Sequence, residues 1–177
     1  MGDYLHRVTN AFLGSELLPA GTRTKLMRLV GFKMSKDACI WAGGNFRSKN
    51  ISIGSGVFIN VGFFFDGYDA LEIQDNVRIG QFVRVLTATH NIGPHEQRGP
   101  IETFGLPVKI EAGTWIGSGV TILPGVTIAA GCVIGANSQV ATSTEPDGVY
   151  AGTPARLIRK LDAGDAGAVV GELEAVS

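Results

Sequence analysis

The sequence predicts a mostly β protein in which six-residue units wind into a triangular coil, with a short helical segment before it and a helical tail after it. The first observation is that a large apolar residue, here called an anchor, returns at every sixth position in three unbroken runs: Ile53, Ile59 and Phe65; Ile73, Ile79 and Val85; and Ile110, Ile116, Ile122, Ile128, Ile134 and Val140. The second is that Gly, Ala or Asn often follows an anchor, and Gly and Asn accept the backbone angles of corners. The third is that a small or modest side chain stands four positions after each anchor, as at Val57, Val120 and Cys132.

Each unit supplies one short strand and one corner, so three units close a coil of about 18 residues. The anchors then point inward and stack on those of the next coil. On this count Ile110 stacks on Ile128, and Ile116 stacks on Ile134. A single coil buries little apolar surface, so several coils must stack and the ends need covers.

The two ends of the chain read differently from the repeats. Apolar residues in helical spacing (Tyr4, Leu5, Val8 and Phe12) predict a first helix that ends near Gly14. A second helix is expected from Thr22 to Gly31, with Leu26, Leu29 and Val30 buried. We therefore expect a helical cap over residues 1–38, a β-helix over 39–155 with a loop excursion over 91–109, and a helical tail over 156–177.

Two interruptions of the repeat are candidates for function. The spacing from Phe65 to Ile73 is eight, so the corner at residues 66–69 holds two extra residues. The spacing from Val85 to Ile110 is 25, and the excursion that causes it begins directly after His90. Long loops on a regular scaffold are usually functional.

Composition excludes several classes of protein. The 177 residues carry 15 basic and 16 acidic side chains, a net charge of −1 without long charge runs, so no nucleic-acid partner is expected. No apolar run approaches the ~18 residues of a membrane span. The start, MGDYLHRVTN, lacks the pattern of a secretory signal, and Cys39 and Cys132 stand far apart, so we expect a reduced, cytoplasmic protein.

Three motifs carry a family resemblance: the pair Thr89-His90, the block TWIGSGVTILPGVTI at residues 114–128, and the ending YAGTPAR at residues 150–156. Together with the repeats over residues 50–160, this sequence resembles the left-handed parallel β-helix of the hexapeptide-repeat acyltransferases. The resemblance is strongest to O-acetyltransferases of the galactoside, maltose, nodulation-factor and polysaccharide types.

The resemblance implies acetyl-CoA as co-substrate, no metal, and a homotrimer with active sites between subunits. It also implies that His90 is the catalytic base and that Asn60, 30 positions earlier, belongs to the active site. The family pattern further assigns Trp115, Arg156 and Arg159 to the coenzyme site. One departure is Ala141-Thr142, where the galactoside type has Thr-Lys, and the acidic acceptor residue of that type has no counterpart we can place.

The chemistry of acetyl transfer agrees with this assignment. A base must remove a proton as a hydroxyl attacks the thioester, and histidine titrates near neutrality; the alternative for His90 is a surface histidine at the root of a loop. Its orienting partner stays open among Glu96, Glu102, Asp66, Asp69 and any backbone carbonyl.

Further contacts are expected on both sides of the reaction. Ser118, Gly135 and Ala136 are expected to line a slot for the pantetheine arm of the coenzyme. Acceptor contacts are expected from Asp66 and Tyr68 of the long corner and from His95 and Glu96 of the excursion.

The function predicted from the sequence is transfer of acetyl from acetyl-CoA to a hydroxyl of a sugar or sugar-like acceptor. One alternative is an N-acetyltransferase that acts on an amino sugar. Another is a zinc protein like the γ-type carbonic anhydrases, since His90 and His95 are five apart, although a third ligand is missing. An ice-binding solenoid would need stacked threonines, but Thr121 stands 18 residues from Gln139 and Thr127 stands 18 from Glu145.

Overall fold

Five coils of short parallel strands form the body of the protein. The computed structural model describes residues 2–162 and residue 165, with side chains from Val8 onward. Two helices come first, α1 (Gly2–Leu13) and α2 (Ala20–Leu29). The coils are β1 (Lys33–Met34), β2 (Cys39–Ile40) and β3 (Asn45–Phe46); β4 (Ile51–Ile53), β5 (Phe58–Ile59) and β6 (Phe64–Phe65); β7 (Leu71–Ile73), β8 (Arg78–Ile79) and β9 (Arg84–Val85); β12 (Val108–Ile110), β13 (Trp115–Ile116) and β14 (Thr121–Ile122); and β15 (Thr127–Ile128), β16 (Val133–Ile134) and β17 (Gln139–Val140). The remaining strands are β10 (Ala88–Thr89) and β11 (Phe104–Gly105) in the excursion, and β18 (Gly148–Gly152) and β19 (Ala155–Lys160) at the end.

Equivalent strands of successive coils form three sheets, one on each face of a triangular prism. Sheet A has the order β1-β4-β7-β12-β15, sheet B runs β2-β5-β8-β13-β16-β18-β19, and sheet C is β3-β6-β9-β14-β17. Ile110 pairs with Ile128 and Ile116 with Ile134, all in parallel register. The predicted β-helix and its stacking register are confirmed.

The interior of the prism is made of the anchors and of the modest side chains that precede the next strand. Ile116, Ile122 and Ile128 are each 0% exposed, and so is Cys132. These columns join in one continuous core through all five coils. Close packing of β-branched side chains against the same residue type one coil away stabilises the stack.

The N-terminal cap differs from the prediction in its register. α2 begins at Ala20, and it buries Arg23, Thr24 and Met27, whereas Leu29 is 81% exposed. The Arg23 guanidinium donates to four backbone carbonyls: Leu13 (2.7 Å), Ile40 (2.9 Å), Ser15 (2.7 Å) and Leu18 (2.8 Å). The apolar spacing was partly right, since Leu26 and Val30 are half-buried against the core. Arg23 and Thr24 are buried beside them because backbone carbonyls of the α1 end, the α1–α2 connection and the first coil need donors.

The sheets also begin earlier than the expected boundary at residue 39. β1 starts at Lys33 and pairs with β4 in parallel. Met34, Ile40 and Phe46 are six apart, so they continue the anchor pattern into the first coil, and that spacing is the signal that would have placed this coil.

The predicted C-terminal helical tail over residues 156–177 is wrong for residues 156–160, which belong to β19. Residues 148–152 form β18, which extends sheet B beside β16, and β19 returns antiparallel along it. The open edge of β16 offers hydrogen-bonding partners to β18, and this pairing outweighs the helical propensity of the local sequence. The rest of the expected tail, residues 163–164 and 166–177, lies outside the described residues.

The excursion differs from its expected bounds of 91–109: it occupies residues 86–107 between β9 and β12, because Val108 and Lys109 belong to β12. It has structure of its own. β10 and β11 form an antiparallel ladder of two residue pairs, Ala88 with Gly105 and Thr89 with Phe104. Its tip is closed by hydrogen bonds from the Gly93 amide to the Arg98 carbonyl and from the Gln97 amide to the Pro94 carbonyl, each 3.0 Å.

Neither helix, α1 or α2, is long and apolar enough to cross a bilayer.

Candidate active site

His90 stands at the root of the excursion, directly after β10, with its side chain exposed. Its Nδ1 lies 3.0 Å from the carbonyl oxygen of Glu102, two residues before β11. A carbonyl only accepts, so Nδ1 carries the hydrogen and donates it. The other ring nitrogen, Nε2, is therefore the basic one, and it is the atom that can take a proton from a substrate. Of the orienting partners left open by the sequence, the structure selects a backbone carbonyl.

The long corner at residues 66–69 lies against the base of the excursion. Asp66 Oδ2 accepts hydrogen bonds from the amides of Thr87 (2.8 Å) and Ala88 (3.0 Å), and Asp66 Oδ1 accepts from the Thr87 hydroxyl. The Tyr68 hydroxyl donates to the Thr103 carbonyl at 2.6 Å. The carboxylate expected to meet the acceptor thus holds the ladder that carries His90.

Asp66 and Tyr68 also border a cleft between α1 and the first two coils. The cleft is lined by Asn10, Ala11, Gly14, Gly43, Gly44, Asn45, Phe46, Arg47, Asp66, Gly67 and Tyr68. His95 and Glu96 are exposed at the tip of the excursion. They do not line this cleft, so the four expected acceptor contacts do not form one group in a single chain.

A separate groove of about 510 Å³ runs along the outside of sheet B. Five residues predicted for the site lie in it: Asn60, Trp115, Ser118, Gly135 and Ala136. The rest of its lining consists of Phe58, Arg78, Ile79, Gly80, Gln81, Gly117, Val133 and Ile134. Trp115 is 46% exposed, which confirms that it points outward from the coil.

The floor of the groove is built by register. Phe58 pairs with Arg78, Arg78 with Trp115, and Trp115 with Val133, so one outward side chain per coil forms a column. The coils pack closely beside this column, because a Cβ added at Gly117 would lie 2.6 Å from the Ala136 amide nitrogen. A largely apolar groove with a few polar side chains, here Asn60, Arg78 and Ser118, is typical of a small-molecule site.

The groove and His90 belong to different parts of the prism. Asn60 follows β5 of sheet B, and its side chain accepts a hydrogen bond from the Val61 amide at 2.8 Å. His90 follows β9 of sheet C and the ladder, and it is not part of the groove lining. A single chain therefore presents the two halves of the predicted site separately.

Several known proteins with similar sequences are described as acetyltransferases. Residues 107–142 match the family model described as bacterial transferase hexapeptide, six repeats. A galactoside O-acetyltransferase from Lactococcus lactis is 36% identical over 122 residues, which are 68% of this chain and 58% of that protein. Nodulation protein L from Rhizobium meliloti is 37% identical over 61% of this chain and 58% of its own length. This chain thus spans little more than half the length of these curated relatives.

Solved structures match over nearly the whole chain. A hexapeptide-repeat-containing acetyltransferase from Vibrio cholerae is 34% identical, covers 90% of this chain and 90% of its own, and has a TM-score of 0.78. The chain belongs to the hexapeptide-repeat acetyltransferases. The V. cholerae member of this family has also been crystallised in complex with acetyl coenzyme A. A galactoside acetyltransferase in complex with coenzyme A is 29% identical, with a TM-score of 0.80 over 93% of this chain and 82% of that one.

The basic residues expected at the coenzyme site of this family member differ in their surroundings. Arg156 is exposed, and its Nη1 donates to the Ala155 carbonyl at 3.0 Å. Arg159 makes a bidentate pair with the Asp165 carboxylate, at 2.9 and 2.7 Å. These hydrogen bonds raise the pKa of Arg159 and lower the pKa of Asp165 to about 2. Arg159 is thus paired with a carboxylate, whereas Arg156 bonds to a backbone carbonyl.

The zinc alternative finds no support in this member of the family. Among the residues whose side chains are described, no three histidine, cysteine, aspartate or glutamate side chains converge on a point that could hold a metal ion. His95 stands on the exposed tip of the excursion.

Several residues of the candidate site were not predicted from the sequence. Arg78 and Phe58 in the groove each precede an anchor, as Trp115 does, so extending that one position to every coil would have found them. Thr87 binds Asp66, and the Thr103 carbonyl binds Tyr68. The sequence gives no comparable signal for these two threonines, because they lie where the repeat is broken.

Proposed function

We propose that the protein transfers an acetyl group from acetyl-CoA to a hydroxyl group of a sugar or sugar-like acceptor, with His90 as the general base. The observation that carries this proposal is the bond from His90 Nδ1 to the Glu102 carbonyl, which leaves Nε2 basic and exposed. The galactoside and maltose O-acetyltransferases among the similar proteins support a saccharide acceptor.

In the proposed reaction, His90 Nε2 removes the proton of the acceptor hydroxyl as its oxygen attacks the thioester carbon. The tetrahedral intermediate then expels the coenzyme thiolate, which recovers the proton from the imidazolium. The Glu102 carbonyl keeps the ring in the required tautomer and stabilises the protonated form, since both ring nitrogens then donate.

The groove on sheet B is the proposed seat of the pantetheine arm, with Trp115 as its wall and Ser118, Gly135 and Ala136 along it. Arg156 extends from β19, next to β18, which flanks β16 at the end of this groove, and so is the proposed partner of a coenzyme phosphate. Arg159 would reach a phosphate only after leaving Asp165.

We infer that a homotrimer completes the site by bringing His90 of one subunit to Asn60 and the groove of its neighbour. Two facts support the assembly: the two halves are separate in one chain, and large apolar side chains are exposed beside the groove, with Trp41 at 47%, Phe82 at 63% and Trp115 at 46%. Exposed aromatic patches of this kind mark interfaces.

The base is tested by thiol release from acetyl-CoA over a panel of sugars, amino sugars and simple alcohols. His90→Ala should lower kcat by at least ~100-fold, the usual contribution of a general base, with an unchanged circular-dichroism spectrum. His95→Ala is the matched control, because this histidine lies on the loop tip; it should alter at most the KM for the acceptor. Near-normal turnover of His90→Ala on a true acceptor would show that another group is the base, and preference for an amine would favour the N-acetyltransferase.

The shared site is tested by complementation. His90→Ala and Asn60→Ala chains, each inactive alone, are unfolded, mixed and refolded together. If one subunit supplies His90 and the next supplies Asn60, random trimers should regain about one quarter of wild-type activity, because one ordered pair in four is intact. No recovery in a mixture that sediments as a trimer would place both residues in the same subunit's site.

A further inference from the structure

The ladder that carries His90 is too short to hold itself. It has two residue pairs, Ala88 with Gly105 and Thr89 with Phe104, and a two-stranded ribbon of this kind is marginal in water even when longer. His90 directly follows β10, and its partner Glu102 lies two residues before β11. Any slip or fraying of the ladder therefore separates Nδ1 from the carbonyl that fixes its tautomer.

The long corner at residues 66–69 adds hydrogen bonds that stabilise the ladder, first at the segment that leads into β10. Asp66 binds the amides of Thr87 and Ala88 as well as the Thr87 hydroxyl. Because that hydroxyl donates to Asp66, its lone pair is free to accept from the Asp69 amide at 2.9 Å. The Thr87 carbonyl in turn accepts from the Leu106 amide at 2.9 Å. Thr87 is 0% exposed, and each of its polar groups is engaged.

The same corner holds the returning strand. The Tyr68 hydroxyl donates to the Thr103 carbonyl at 2.6 Å, one residue beyond the carbonyl that binds His90. Asp69 also lies against this strand, since a Cβ added at Gly105 would stand 2.8 Å from Asp69 Oδ2. The corner at residues 66–69 thus contacts both the outgoing and the returning segment of the excursion. Its two extra residues make it long enough to contact both.

We propose that Asp66, Thr87 and Tyr68 are positioning residues for His90, which fasten both segments of the excursion to the corner so that the Glu102 carbonyl holds the imidazole with Nε2 unprotonated. The proposal rests on the function proposed above for His90, but its geometric part stands without turnover. It assigns Asp66 to the ladder instead of to the acceptor.

The geometric part is read from the imidazole itself. The chain has three histidines, so long-range 1H–15N spectra are assigned by comparison with His90→Ala. In the wild type at pH 8, His90 should show a protonated Nδ1 and an unprotonated Nε2. In Thr87→Val or Asp66→Asn it should show the averaged shifts of exchanging tautomers, whereas Thr87→Ser, which keeps the hydroxyl, should restore the wild-type pattern. Thr144→Val, whose hydroxyl oxygen accepts from the Ala129 amide in the last coil, is the matched control and should leave the spectrum unchanged.

The kinetic part separates positioning from binding. Thr87→Val and Asp66→Asn should lower kcat by about 10- to 100-fold through misplacement of the base, with the KM values for acetyl-CoA and acceptor within about twofold. Tyr68→Phe removes one exposed hydroxyl and keeps the fold, so it tests the proposal if the Thr87 and Asp66 variants unfold. It should lower kcat by a smaller factor, and Thr144→Val in the last coil should not lower it.

Wild-type kcat together with an unchanged His90 spectrum in the folded Tyr68→Phe and Asp66→Asn variants would overturn the proposal. A rise in acceptor KM at constant kcat would also overturn it, since that result returns Asp66 to substrate binding. A wild type that shows the predicted tautomer and its loss in the variants, yet acetylates nothing, would overturn the proposed function and leave the positioning role standing.

Discussion

The coil stack and the excursion use the same side chain in opposite ways. Ile122 in β14 is 0% exposed, with Val140 paired beyond it and Val85 before it, whereas Ile92 on the excursion is 85% exposed. The stack gains its stability from one contact repeated at each coil, and repetition leaves little room for a distinctive group. The excursion and the long corner escape the repeat, and His90 is found there. In this protein the regular repeats form the stable coil stack, and the candidate catalytic residue His90 lies where the repeat is interrupted.

The comparison is tested most strongly by the same substitution in both regions. Ile122→Ala should lower the free energy of unfolding by about 2–5 kcal/mol, because it removes buried methyl groups and leaves a cavity. Ile92→Ala should change it by less than ~0.5 kcal/mol. Both values come from urea denaturation followed by circular dichroism, and equal effects would mean that the excursion is packed as tightly as the coils.

Glycines give a second contrast of intermediate size. A Cβ added at Gly54, on a corner of the stack, would lie 2.8 Å from the Asp75 amide nitrogen, whereas one added at Gly99 of the excursion would meet no atom within 4 Å. Gly54→Ala should therefore destabilise the fold by about 1–3 kcal/mol through overpacking. Gly99→Ala should be neutral or stabilising by up to ~1 kcal/mol, since alanine restricts the unfolded chain. The thermal unfolding temperatures of the two variants measure this difference. A clear loss of stability in Gly99→Ala would contradict the open surroundings of that residue.

The smallest expected effect concerns the polar outside of the stack. Hydrogen bonds from the hydroxyls of Ser35 and Ser55 lower the pKa of Asp37 to about 2. A carboxyl whose pKa is lower in the folded state contributes stability above its unfolded pKa of about 3.9, and this contribution is lost as the pH falls towards 2. Ser55→Ala should raise the pKa of Asp37 towards its ordinary value, as measured by carboxyl 13C shifts. An unchanged titration would show that Ser55 does not hold this corner.

How much the sequence could predict follows the same division. The period of six gave the core, the register and the outward position of Trp115, since one spacing rule determines all of them. The period of six did not predict the contacts of Asp66. Asp66 and Thr87 are 21 residues apart and lie in two separate breaks of the repeat, and their contact depends on how these breaks fold against each other. The Glu102 carbonyl was open to prediction only as a class, because every residue carries one.

The ends of the stack were the other place where spacing failed. α2 buries Arg23 and Thr24 beside the half-buried Leu26 and Val30, because carbonyl groups of the α1 end and of the first coil face it. Arg23 donates to the carbonyls of Leu13 and Ile40. The Thr24 hydroxyl donates to the Ala38 carbonyl at 2.9 Å. At the opposite end, residues with helical propensity became β19 because β18 offered a partner strand. In both places the requirement of the neighbouring backbone decided the outcome.

The four hydrogen bonds that Arg23 donates make some positions of the cap more tolerant of mutation than others. The residues that accept them, Leu13, Ser15, Leu18 and Ile40, contribute only main-chain oxygens, and every amino acid supplies such an oxygen. Those four positions can therefore vary in the course of evolution without loss of the bond, as far as their own packing allows. Position 23 has no such freedom, because lysine cannot reach four carbonyls at once with a planar fork. The four bonds that tie the end of α1, the α1–α2 connection and the first coil to α2 at this point thus depend on the identity of one residue, Arg23.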